Sequence, residues 1–493
     1  MNLNARSIGR RRIAGSLPVL LVACAFLSAL SLRAESKPIL AHYMPWYVAK
    51  PYSGSWGWHW TMNHYNPDTT NASGLRNIAS WHYPLIGPYD SADPVVLEYH
   101  VLLMKLGGVD GVIADWYGQE NYLDYGLINQ RTLALLDYTR RAGLKFVLCY
   151  EDRTVQAKID GGYITAANAT NNAQQTMLYA QANYFNSPNY LQFSNKPVLL
   201  NFGAVYFQNN SQWVTIFSVL AASNQPAFFS EDIRFAVAMG AYNWPPMHLA
   251  NGGTLTSNAL HTYLVNFENS AVSWPAFISS AFPRFRDIYQ QAGLGFTYGT
   301  LEDNNGQTFR SLLSRAMTNN SDMIQLVTWN DFGEGTIVEP TVEFGYRDLG
   351  VVQDFRRQYF DPDFPNTTND LALPLRLYNL RRQFVGNAII NAELNRTFTN
   401  IVSGRLATAN LQLTGLELKQ PVIYDLALND NNLRFSVGGF VSSNGADIQT
   451  TSNLAAAWQT AGALTVGTNA MTFSTPISPE GPPTFFKVRT SQP

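Results

Sequence analysis

The chain has 493 residues, of which 46% are apolar, 14% charged and 13% aromatic, and its formal net charge is −2. That length allows one large domain with a smaller one attached. So little net charge leaves neither the basic footprint of a nucleic-acid binder nor the solvating charge of a disordered tail, and nucleic acid is excluded as an expected partner.

Residues 1–36 open with four arginines (Arg6, Arg10, Arg11, Arg12), continue through an apolar stretch over 13–32 and reach Ala34 before polar residues. This order reads as an export signal, 1–34, which sends the mature chain to the periplasm, the cell surface or the medium. Gly15, Ser16 and Pro18 interrupt the stretch, so no stable membrane span is expected after cleavage. "LVAC" at 21–24 also fits a lipobox, a less favoured reading that would leave Cys24 lipidated, and "GRRRIAG" loosely fits a twin-arginine signal. Without Cys24 the chain keeps Cys149 alone, so no internal disulfide is possible. Its setting, "KFVLCYED", predicts a buried small hydrophobe.

Eight short apolar runs follow: "KPILAHYMPW" (37–46), "VDGVIADWYG" (109–118), "LKFVLCYED" (144–152), "KPVLLNFG" (196–203), "PAFFSED" (226–232), "IRFAVAMGAY" (233–242), "WPAFISSAFP" (274–283) and "MIQLVTWND" (323–331). They are apolar on consecutive positions, as strands covered on both faces are. Between them, stretches such as "DPVVLEYHVLLMKLGG" repeat apolar residues at helical spacing and stop at glycine. The pattern predicts a closed (β/α)8 TIM barrel over 37–350. The fifth and sixth runs lie end to end without room for a helix. A helical extension is expected over 351–414, and a small β-sandwich-like module over 415–493, where Thr, Ser, Asn and Gly dominate. Only Trp458 stands out in that module as a flat platform, so passive packing is as good a reading as glycan binding.

Polar and aromatic residues collect at the C-terminal ends of the runs, the face where barrel active sites form: Trp46 and Tyr47; Asp115, Trp116 and Tyr117; Glu151 and Asp152; Glu231 and Asp232; Trp329, Asn330 and Asp331. The connection from Tyr47 to Ser91 is long enough to be functional, and the tryptophans at 56, 58, 60 and 81 join Trp46 in or beside it. In "VTWNDFGEGTIVEP" (327–340), Asp331 and Glu334 leave the last strand with Gly333 and Gly335 on either side of Glu334, so both carboxylates can turn into one pocket. Glycoside cleavage uses such a pair, one group protonating the departing oxygen and the other acting as base or nucleophile. Either acid could instead cap a turn.

The stretches "HYMPWY" (42–47), "WGWHW" (56–60), "IASWHYPLIGPYDSADPVVLEYHVLLMKLGGVDGVIADWYG" (78–118) and "TWNDFGEGTIVEP" (328–340) resemble glycoside hydrolase families 71 and 99, a group that includes α-1,3-glucanases and endo-α-mannosidases. The likeness covers about 37–350. It implies an endo-acting barrel enzyme on α-mannan- or α-1,3-glucan-type glycans, with no cofactor and no metal. Family 99 has "EWHEG" where this chain has "DFGEG" (331–335), so Asp331 replaces the first Glu and Gly333 a His. In that family the first acid assists the sugar's own 2-hydroxyl and the second is general acid, then base. The resemblance therefore implies Glu334 as the acid, and leaves Asp331 either that assisting role or activation of water for inversion. It also implies substrate contacts at Trp46, Tyr47, His59, Trp60, His82, Tyr83, Asp115, Trp116 and Tyr117. Glu151, Trp329, Asn330 and Glu339 complete the expected site.

A protonated Glu334 needs its pKa raised by an apolar wall or by a neighbouring carboxylate, and Asp331 or Glu339 could provide the latter. Glu151 could otherwise pair with Arg153 or Lys145, and Arg284 with Asp287. The histidines at 42, 59, 64, 82, 100, 248 and 261 show no HExxH-type spacing, and His100 falls in a helical pattern as a structural residue. Two other readings remain open: a silent carbohydrate-binding barrel and a metal-dependent esterase. Oligomeric state, sugar and linkage are not encoded in any recognisable motif.

Overall fold

The computed structural model describes residues 37–439, 445–465, 470–478 and 480–490. The expected signal segment, with Cys24, lies outside them. Each of the eight apolar runs contributes one strand: β1 Ile39–Tyr43, β2 Gly111–Trp116, β3 Lys145–Glu151, β4 Lys196–Phe202, β5 Ala227–Glu231, β6 Gly240–Tyr242, β7 Ile278–Ala281 and β8 Met323–Leu326. All are parallel to their neighbours, and the pairing of β8 with β1 closes the ring. Helices cover the outside, so β1 and β2 are buried at every position. This is the physical origin of the unbroken apolar runs.

Helix Pro94–Leu106 begins where the Asp93 side chain accepts the Val95 N–H and Pro94 takes a position whose own N–H would be unused. No helix separates β5 from β6. Phe235, Val237 and Met239 from the link pack on the core there instead. Helix Arg347–Tyr359 crosses residue 350 and serves as the barrel's last helix, with Arg356 bonding Asp110 and the Gly108 carbonyl.

Helices Ala372–Gln383, Ala388–Val402 and Leu406–Glu417 form the extension, so the change to β structure comes at Pro421 rather than at 415. The module is two three-stranded antiparallel sheets over a small core of Phe435, Val437, Ala446, Ile448 and Met471. One face of Trp458 is covered by Lys487, 4.2 Å from the ring centre. Among the described residues no helix is long and apolar enough to cross a membrane.

Arg284, just past β7, joins three parts of the barrel's upper end. Its Nε donates to Asp303 at 3.0 Å, one terminal nitrogen donates to the Ile337 carbonyl at 2.7 Å, and the other pairs with Asp348. Arg284 does not pair with Asp287, the alternative its spacing allowed: Asp287 accepts from Thr297 and from the Tyr289 and Tyr298 amides. Arg284 and Asp348 are both buried, so Arg284→Ala should lower stability by about 3 kcal/mol, read from denaturant midpoints. Arg284→Lys should recover less than half of that loss, because an ammonium cannot reproduce the three-way fork.

Candidate active site

Above the C-terminal ends of the strands lies a cavity of about 600 Å3. Among the described residues it is lined by five carboxyls, Asp115 from β2, Glu151 from β3, Glu231 from β5, and Asp331 and Glu334 from the loop after β8. Arg153 is the lining guanidinium. Phe296 and Tyr298, 45% and 42% exposed, and Trp58, 43% exposed, supply apolar faces at its margin. Flat apolar faces beside clustered oxygen acceptors suit a polyhydroxylated ring.

The loop over 327–340 is held rigidly. Trp329 N–H donates to the His42 carbonyl, while the Asn330 side chain accepts from the Met44 N–H and donates to the Met44 carbonyl and the Tyr89 hydroxyl. Tyr47 donates its hydroxyl hydrogen to the Asn330 carbonyl and accepts from the Phe332 N–H. Across the turn, the Thr328 N–H donates to the Thr336 carbonyl and the Glu339 N–H to the Trp329 carbonyl. The Glu334 N–H donates to Asp331 Oδ1 at 2.9 Å, so the backbone of one acid fixes the carboxylate of the other. Gly335 has φ +71°, and a side chain there would meet the Arg286 carbonyl at 2.9 Å, which explains the second glycine. A Cβ at Gly333 would approach Met62 at 3.1 Å.

Burial sets the electrostatics. It pushes Glu334 well above the usual glutamate range, reinforced by the charges of Asp331, Asp287 and Glu151 and only partly offset by the Tyr289 hydroxyl at 3.3 Å. Burial also raises Asp331, but the Glu334 and Gly333 amides hold it to about 6. Near neutrality the pair therefore splits into a protonated Glu334 and an ionised Asp331. Glu151 is raised to about 7 and Glu231 to about 8, in both cases chiefly by burial. Asp115 is raised well above the usual aspartate range by burial and by Glu151 and Asp331. His59 is lowered to about 3 by burial and by Arg131, so it is neutral where it stacks on Trp46, with ring centres 4.2 Å apart.

Of the expected site residues, Trp46, Tyr47, His59, Asp115, Tyr117, Glu151, Asp331 and Glu334 line this one cavity. The others stand elsewhere, each for a visible reason. Trp60 is buried and donates to the Tyr89 carbonyl, and Trp116 faces the helices, donating to Asn129. Trp329 is buried against His100, and Asn330 is consumed by the loop anchors. Glu339 accepts from Tyr89, and its other oxygen sits 3.2 Å from His100 Nε2, outside the lining of the cavity. Tyr83 and His82 border a separate groove, where Tyr83 N–H meets Glu343. Sequence reasoning left out Tyr289, Phe296 and Tyr298, which come from the connection after β7; the cluster of aromatics in "YQQAGLGFTY" was the available signal.

No family model matches the chain. By sequence it is similar to the glycoprotein endo-alpha-1,2-mannosidase-like protein of Danio rerio, with 23% identity over 335 residues that cover 61% of this chain and 70% of that protein. The barrel motifs and this likeness point to the same group. Among solved structures it is similar to the GH99 endo-alpha-mannosidase from Bacteroides thetaiotaomicron, with TM-score 0.49 and 20% identity, covering 67% of this chain and 98% of that one. It is also similar to a glycoside hydrolase-like protein, with TM-score 0.46 and 14% identity, covering 66% of this chain and 95% of that one.

Carboxyls raised by burial give up stability when they ionise. For Glu231 the loss is absent below the ordinary glutamate range, grows as pH rises toward 8, and is constant above it. Glu231→Gln retains an acceptor for the Gly203 N–H that Glu231 now binds. It should match the parent's Tm near pH 4 and exceed it by a few degrees at pH 8 in calorimetry, at about 1 °C per kcal/mol for a chain of this length.

Proposed function

We propose that this protein is a glycoside hydrolase cleaving α-linked glycans, with α-mannosides as the first substrate class to test. Glu334 protonates the departing glycosidic oxygen, and Asp331 acts on the opposite side of the acetal as base, nucleophile or partner to a sugar hydroxyl. What carries this reading is the arrangement of one loop: two carboxyls three residues apart line one cavity, one pushed well above the usual glutamate range by burial and by its neighbour's charge, the other held to about 6 by backbone amides. The name of the zebrafish relative supports α-mannoside chemistry, and the aromatic margin supports an extended glycan rather than a single sugar. Export by the N-terminal segment, cut after Ala34, belongs to the same proposal. It would deliver the enzyme to polysaccharide outside the cytoplasm.

Glu334→Gln should reduce kcat on α-1,2- and α-1,3-linked mannans by about 10²–10⁴-fold while substrate binding, measured by calorimetry, persists. Turnover like that of the parent would remove Glu334 as the acid. The kcat/KM profile should fall on the acid side as pH drops through about 6, where Asp331 takes up a proton. The alkaline limb should be set by Glu334 losing its own. Asp331→Asn should lower kcat/KM steeply, and the acid limb near pH 6 should be missing from the rate that is left.

A further inference from the structure

Beneath the carboxylate pair, β1, β2 and β3 place His42, Asp115 and Cys149 together inside the barrel. Asp115 and Cys149 are direct partners across β2 and β3. His42 pairs with Ile113, two residues before Asp115 on the same face of β2. One donor atom from each of the three residues lies within 4.8 Å of the other two, and all three residues are buried. We propose that His42, Asp115 and Cys149 form a three-ligand site for a divalent cation of the zinc class, with a further coordination position open to the cavity.

Three observations support the assignment. An imidazole, a carboxylate and a thiolate are the ligand types that zinc takes, and three protein ligands with one open position is an arrangement it adopts. At bond lengths of roughly 2.0–2.3 Å a tetrahedral ion sets its ligands roughly 3.3–3.8 Å apart, so small side-chain rotations bring these atoms to bonding distance. The donors are also poorly satisfied. Neither ring nitrogen of His42 and neither oxygen of Asp115 makes a hydrogen bond of ordinary geometry, although Asp115 is 2% exposed and His42 0%. Buried polar atoms in such numbers call for a partner.

The surroundings complete the site. Gln325 stands next to His42, Tyr242 Oη lies 3.8 Å from Cys149 Sγ, and Trp244 packs edge-on to the His42 ring with centres 4.9 Å apart, so the ligands are held from outside. His42 and Asp115 border the cavity, which gives the ion an entry path. The charges that face Asp115 are the carboxyls of Glu151 and Asp331, and a cation relieves their repulsion. This site stands or falls independently of whether Glu334 and Asp331 cleave a glycosidic bond.

The full mature chain, stripped with a chelator and dialysed, is loaded with Zn²⁺, passed through gel filtration and analysed for metal. One equivalent should remain. Cys149→Ser and His42→Ala should each weaken zinc binding by more than the roughly 10- to 100-fold that loss of an outer partner costs. Loading the unmodified protein with Co²⁺ should give a thiolate-to-cobalt charge-transfer band, a readout that needs no variant to fold. Failure to retain zinc, or cobalt retained without a thiolate band, overturns the site, as does zinc affinity unchanged in both variants.

Discussion

The molecule depends on a conflict between burial and ionisation at the upper end of the barrel. Closure of eight parallel strands brings strand ends that are far apart in sequence around one cavity, and four of its five carboxyls come from β2, β5 and the loop after β8. These carboxyls are buried or half-buried and close to one another, so each charge is costly, and burial shifts them toward the protonated form. A carboxylic acid that keeps its proton near neutrality is what a departing glycosidic oxygen requires. The same burial that costs stability thus prepares the chemistry.

What distinguishes Glu334 from Asp331 is local backbone geometry. Asp331 faces the amides of its own turn, which offset its burial, whereas Glu334 has the Tyr289 hydroxyl as its hydrogen-bond donor and the negative charge of Asp331 beside it. That turn is held by Tyr47, Asn330 and Arg284, none of which has to touch substrate to matter. Side chains on three different segments therefore fix the direction of two carboxyls. Such positioning is worth as much to an active site as the acids themselves.

Much of this was legible in the sequence because it follows from local patterns. Each apolar run gave a strand, including the two that lie end to end, since covering a parallel sheet on both faces demands consecutive apolar residues. The acids at the strand ends were legible because a barrel turns those ends toward one face. Which aromatics point inward was not. Trp116 and Tyr117 are adjacent, yet alternation along the chain sends Trp116 to the helices and Tyr117 to the cavity. Trp329 and Glu339 looked like site residues because they flank the acids, but the loop folds back and uses both for packing and pairing. The grouping of His42, Asp115 and Cys149 has no linear spacing at all, because the ligands come from three strands separated by crossover helices.

The central claim, that Glu334 carries a proton near neutral pH because it is buried beside an ionised Asp331, can be observed directly. Infrared difference spectra between the parent and Glu334→Gln, recorded from pH 5 to 9, isolate the carbonyl stretch of this one side chain. The account predicts a protonated-carboxyl band that persists through pH 7 and weakens at lower pH when Asp331→Asn removes the neighbouring charge. A band already gone by pH 5, with carboxylate absorption in its place, would contradict it.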